Sequence, residues 1–140
     1  MSEKLHNRNL SAEIEKYYDD KEIIVLLGSR QVGKTTLLKM FRNHFDSIKK
    51  KTFFIDLEDN LLLDVCNKGA KELASYLLMK GFSDNEFLYL FIDDIQYLDD
   101  PSSFLKILHD NYGDKFKVFA SGSSTFRIKS KFKDPLVGRE

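Results

Sequence analysis

The amino-acid sequence predicts a three-layer α/β domain with a parallel sheet, on three observations. Gly28-Ser29-Arg30-Gln31-Val32-Gly33-Lys34-Thr35 fills the phosphate-loop (Walker A) pattern G-x-x-x-x-G-K-[ST] between an apolar run, Ile23-Ile24-Val25-Leu26-Leu27, and a helix-like segment. Four strand-like runs alternate with helix-like ones, the order that a parallel sheet needs for its crossovers. One of those runs, Phe87-Leu88-Tyr89-Leu90-Phe91-Ile92, is apolar on both alternating sets, as expected of a strand covered on both faces. In such a domain the ligand sits at the carboxyl ends of the strands.

With 140 residues, 42% hydrophobic and 13% aromatic, the chain has the length and apolar content for one globular domain with a core of its own. Lys plus Arg and Asp plus Glu both count 22, so no overall field draws the protein to nucleic acid or to an anionic membrane. Cys66 is the single cysteine, which excludes an internal disulfide or a cysteine-cluster zinc site and reads as a buried apolar filler in a reducing compartment. Met1 to Leu10 is polar where a signal peptide would be apolar, and no run reaches membrane-spanning length. A cytoplasmic protein is expected.

Taken in order, residues 1–22 read as a leading segment in which Leu10, Ile14 and Tyr17 or Tyr18 recur at helical spacing. Its tyrosines precede the first strand, so they either pack in the core or flank a base. After the phosphate loop, Leu37, Leu38, Met40, Phe41 and Phe45 predict a helix with one buried face. Thr52 to Leu57 has strand character, and Leu61 to Cys66 reads as a short helical turn ended by Asn67-Lys68-Gly69. Ala70, Leu73, Ala74, Leu77 and Leu78 predict a further helix stopped by Gly81. After the strand ending at Asp93-Asp94, Asp100 and Pro101 are an N-cap and first-turn proline for a helix whose stripe is Phe104, Leu105, Ile107, Leu108 and Tyr112. Phe116 to Gly122 is the fourth strand. Lys117, Arg127, Lys129, Lys131 and Lys133 are the concentrated basic positions; they could contact nucleic acid or an acidic partner, but without an aromatic stacking platform or recognition helix they read first as solvated surface, and nucleic-acid binding stays unsupported.

The chemistry of the loop follows from its residue types. Gly28 and Gly33 admit backbone angles closed to other residues, so that successive N–H groups curl around phosphate oxygens at the positive end of the next helix. Lys34 then reaches the outer phosphates, the Thr35 hydroxyl is offered to Mg²⁺, and Thr36 continues the loop into the helix. Asp93, at the end of an apolar strand, brings a carboxylate to the edge where the loop opens and can hold the same Mg²⁺ (the Walker B position). In nucleotide hydrolases of this layout the next residue is usually a glutamate that orients and deprotonates the attacking water. Asp94 carries the same charge on a side chain one methylene shorter, so slow turnover is expected.

The motifs GSRQVGKTTLL, FIDDIQYL, FASGSSTF and PLVGRE resemble the AAA+-related P-loop ATPase domain of a large prokaryotic family, which usually reads G-x-R-Q-x-G-K-T, I-D-E-I-Q and G-S-S in this order. The likeness spans about residues 23–140. It implies ATP as the nucleotide and a P-loop NTPase sheet of order 1-4-3-2, with the fourth strand inserted between the first and third. It also implies that Ser123 or Ser124 faces the γ-phosphate as sensor. Arg139 matches a family arginine, acting in its own site or a neighbour's, and Arg30 is a further cation beside the phosphates, toward a partner subunit or simply in solvent. Relatives continue into a fifth strand and a helical lid, so the core looks incomplete at its end and its first strand is expected to be an exposed, self-associating edge.

The expected function is therefore an ATP-binding and Mg²⁺-dependent ATP-hydrolysing domain, with self-association or a protein partner open. Two alternatives remain: a nucleotide-binding switch or interaction module without turnover, and a small-molecule phosphotransferase, which the absence of an arginine-rich lid disfavours.

Overall fold

The computed structural model describes residues 15, 18, 20–28 and 33–123. They build four parallel strands, β1 (Ile24–Leu27), β2 (Lys51–Asp56), β3 (Leu88–Asp93) and β4 (Phe116–Gly122), in the order β1-β4-β3-β2. This is the order that the resemblance implied. The helices are α1 (Lys34–Ser47), α2 (Asn60–Asn67), α3 (Ala70–Met79) and α4 (Pro101–Tyr112), with a one-turn 3₁₀ helix at Ile95–Tyr97.

The central strands β3 and β4 are buried throughout, and their alternation sorts the core into two layers. Leu88, Leu90 and Ile92 join the side covered by α2, α3 and α4, where Cys66, Leu73, Leu77, Leu105 and Leu108 pack. Tyr89 and Phe91 join the side covered by α1, with Leu37, Leu38, Phe41, Phe45 and Phe119. This second layer is largely aromatic: Phe91 stacks on Phe119 at 5.0 Å and Phe45 on Tyr89 at 4.2 Å between ring centroids. Tyr18 belongs to it, 4.9 Å from Phe45. Phe45 lies about 15 Å along the helix axis from Thr35, so this tyrosine packs and does not flank a base at the loop.

Several helix expectations need adjustment. Residues 60–67 form a full helix, because the Asp59 carboxylate caps it by accepting from the N–H groups of Leu61 and Leu62, a contact worth about 1 kcal/mol. Asp100 caps α4 in the same way through Ser103, and Pro101 opens the helix as expected. Met40, Leu78 and Ile107, read as members of buried stripes, are exposed on the flanks of those stripes. β1 stands at one end of the sheet among the described residues, yet all four of its residues are buried, so it presents no exposed edge of the kind expected.

Lys117 departs most from expectation. It is not surface but one of the largest fully buried side chains. Its Nζ donates to the carbonyl oxygens of Asp20 (2.9 Å) and Glu22 (2.6 Å) and to the Asp20 carboxylate (3.0 Å). A buried ammonium is tolerated only with such partners, and here they tie the chain entering β1 to β4. Arg127, Lys129, Lys131 and Lys133, and nearly all of the leading segment expected to be helical, lie outside the described residues. Among the described residues no helix is long and apolar enough to cross a membrane.

Candidate functional site

All four strands are parallel, so their carboxyl ends meet at one edge, and register fixes what gathers there. Asp56 pairs with Asp93 and Leu27 with Gly122. Gly28 extends the ladder by donating its N–H to Gly122 O at 3.2 Å. The start of the phosphate loop is thereby pinned beside the end of β4.

Gly33 takes a left-handed conformation, φ 71°, that a Cβ would strain, and it forms the N-cap of α1 without a side-chain bond. No acidic residue occupies the first turn of α1. Its first N–H groups and positive end are therefore suited to an anion. Lys34, 7% exposed, donates from Nζ to Gly28 O at 2.6 Å. Thr35 donates from Oγ1 to Asp93 Oδ2 at 2.7 Å, and Thr36 is exposed beside it. Ser29, Arg30, Gln31 and Val32 lie outside the described residues, as do Ser124 and Arg139.

Asp93 is buried and held from both sides: Thr35 takes one carboxylate oxygen and the Ser121 hydroxyl donates to the other. Ser121 also accepts the Asp94 N–H at 2.9 Å, so one hydroxyl orients two successive acidic residues. Asp94 has φ 67° and ψ 54°, a left-handed geometry that aspartate and asparagine adopt more readily than longer side chains. Gln96 donates from Nε2 to Asp94 Oδ1 at 3.3 Å and accepts from the Ser123 N–H at 3.2 Å through Oε1. Oxygens of Asp56, Asp93 and Asp94 lie within 4.8 Å of one another. Hard carboxylate and hydroxyl oxygens in this arrangement suit Mg²⁺.

Electrostatics follow the crowding. Burial, then the neighbouring Asp93, push the Asp94 carboxyl above its ordinary range, with Asp56 adding to the rise, while Gln96 and Lys34 pull it down.

Of the residues singled out in the sequence, the fold brings Gly28, Gly33, Lys34, Thr35, Asp93 and Asp94 together, and the backbone of Ser123 faces Gln96. Ser121, Gln96 and Asp56, which the sequence did not single out, lie among them. A hydroxyl near the end of an otherwise apolar buried strand was the signal for Ser121, since such a group needs a partner. Asp56 ends its strand as Asp93 does, and the parallel register makes them neighbours.

A family model described as AAA domain matches residues 20–140. The uncharacterized protein MJ1637 of Methanocaldococcus jannaschii is 30% identical over 126 residues, covering 86% of this chain and 26% of the relative. The chain thus spans about a quarter of the length of the curated relative it matches. Among solved structures, C. elegans PCH-2 superposes with a TM-score of 0.52 at 18% identity, over 89% of this chain and 35% of that one. The cytoplasmic domain of the type VII secretion ATPase EccC of Thermomonospora curvata gives 0.48 at 16% identity, over 76% and 16%. At 18% identity the likeness to PCH-2 is one of fold.

Proposed function

Because the chain belongs to the AAA domain family, we propose that it binds ATP with Mg²⁺ and hydrolyses it slowly. In this reading Lys34 and the loop N–H groups from Gly28 to Thr36 hold the phosphates. Thr35 and Asp93 hold Mg²⁺, which when bound offsets charge on the outer phosphates. Asp94 orients and deprotonates the attacking water, with Ser123 or Ser124 and Arg139 around the γ-phosphate. A reducing, cytoplasmic setting fits the buried Cys66 thiol, which burial pushes up to about 12.

The observation that supports this best is the unbroken chain of bonds from Thr35 through Asp93 and Ser121 to Asp94, on the edge where the phosphate loop begins. It preorients a metal ligand and a base side by side before any nucleotide arrives. The alternative of a nucleotide-binding switch without turnover draws on Asp94 itself: its side chain is short and its backbone conformation favours a short one.

The test is Lys34→Ala. Loss of a charged contact to phosphate, typically 1.5–3 kcal/mol, is expected to weaken binding of a fluorescent ATP analogue with Mg²⁺ by about 10- to 100-fold. Unchanged affinity refutes nucleotide binding at this loop. Wild-type phosphate release no faster than that of Lys34→Ala removes hydrolysis and leaves the switch.

A further inference from the structure

Gln96 makes two hydrogen bonds that join parts of the chain with separate tasks. Its amide nitrogen meets Asp94 Oδ1 at 3.3 Å and its amide oxygen meets the Ser123 N–H at 3.2 Å. The orientation of the amide is set by its partners, because a carboxylate in this contact accepts and a backbone N–H donates. No other described residue donates to the Asp94 carboxylate, whose backbone is held separately by Ser121. The 3₁₀ turn that carries Gln96 is anchored by Ile95, fully buried against Gly122 of β4. Any shift of the end of β4 is therefore felt at both ends of the Gln96 side chain.

We propose that Gln96 is a positioning residue that holds the Asp94 carboxylate in register with the end of β4, so that displacement of Ser123 by bound phosphate is passed to Asp94. The inference rests on the hydrolytic reading for its effect on rate, but the linkage itself exists without nucleotide. The position of Gln96 supports this role: a single amide spans the gap between the base and the strand end that borders the phosphate site.

The experiment uses Gln96→Met, which keeps length and removes both hydrogen bonds, and Gln96→Glu, which keeps the acceptor toward Ser123 but sets a carboxylate against Asp94. Gln96 is only half-buried, so both variants are expected to fold, as near-UV circular dichroism and melting will report. Steady-state ATP hydrolysis is measured for each, with Lys34→Ala as the blank and each change repeated in Asp94→Asn. Mispositioning of a catalytic group costs on the order of 10- to 100-fold, expected in kcat with KM for ATP nearly unchanged. In Asp94→Asn the same substitutions are expected to cost nothing more. An equal further loss in Asp94→Asn, or an unchanged kcat in both variants, overturns the proposal.

If the wild type hydrolyses no faster than Lys34→Ala, the hydrolytic reading fails on its own terms and the linkage is judged without nucleotide. Asp94→Asn is then expected to shift the Ser123 amide resonance when Gln96 is present and to leave it unmoved in Gln96→Met. The same shift in both backgrounds overturns the proposal.

Discussion

Gly122 occupies a position where a single methyl group ought to disturb both packing and site. A Cβ built there lies 2.9 Å from Ile95 Cγ1 and 3.2 Å from Leu27 Cδ2, well inside the ~3.5–4.0 Å of comfortable carbon contact. Both neighbours are core residues, Ile95 fully buried and Leu27 7% exposed, so neither can swing into solvent. Gly122→Ala must push the 3₁₀ turn away from β4 by several tenths of an ångström. Overpacking of this kind costs about 1–3 kcal/mol, which for a domain of this size lowers Tm by on the order of 5 °C. The same displacement carries Gln96 away from Ser123 and loosens Asp94, so ATP hydrolysis is expected to fall more than ATP affinity. Thermal melting followed by circular dichroism, together with nucleotide titration and phosphate release, reads all three. An alanine variant with unchanged Tm and unchanged hydrolysis refutes the close-approach argument.

Lys117→Met keeps the length of the side chain but strips the carbonyl oxygens of Asp20 and Glu22 of a donor. Unsatisfied polar groups cost about 1–3 kcal/mol, in part offset by no longer burying a charge, so a lower Tm and faster amide exchange around residues 20–24 are expected; unchanged exchange there rules out the clamp. Asp94→Asn is expected to raise Tm at neutral pH without Mg²⁺, since it removes a carboxylate that burial and Asp93 disfavour and keeps a residue type that accepts the left-handed backbone. Because the folded pKa is raised, the folded state holds its proton to higher pH than the unfolded chain does. Native stability therefore falls as pH rises through that window, and the advantage of Asp94→Asn should vanish toward acid pH; a constant difference from pH 4 to pH 8 contradicts this.

The strands, the phosphate loop and Asp93 were legible because each is a local pattern: an apolar run, a fixed spacing, an acid at a strand's end. Strand order came only with the family resemblance, since periodicity says nothing about which strand lies beside which. Ser121 and Gln96 were not legible as site residues because their roles exist only across the sheet, β4 against β3 and the 3₁₀ turn against Ser123. Lys117 was misread because charge usually means surface, whereas here three oxygens from the entering chain meet it inside. The helix at residues 60–67 was underestimated because its decisive signal was the Asp59 cap and not its apolar run.

The sheet order also governs when the site can exist at all. β1 leaves the ribosome first among the strands, yet its one sheet partner among the described residues is β4, the last; Ile24 pairs with Phe119 across most of the chain. Closing so long a loop is entropically costly and slow, while β2 and β3 pair over a much shorter separation. Assembly should therefore begin on the β2–β3 side, with β1 and its phosphate loop docking after β4 is complete. A nascent chain stopped before Phe116 would carry the whole phosphate-loop sequence and none of the Ser121 and Gly122 contacts that pin it beside Asp93. Nucleotide capture would then mark the emergence of β4, and ligand added during refolding would act only on the docking of β1.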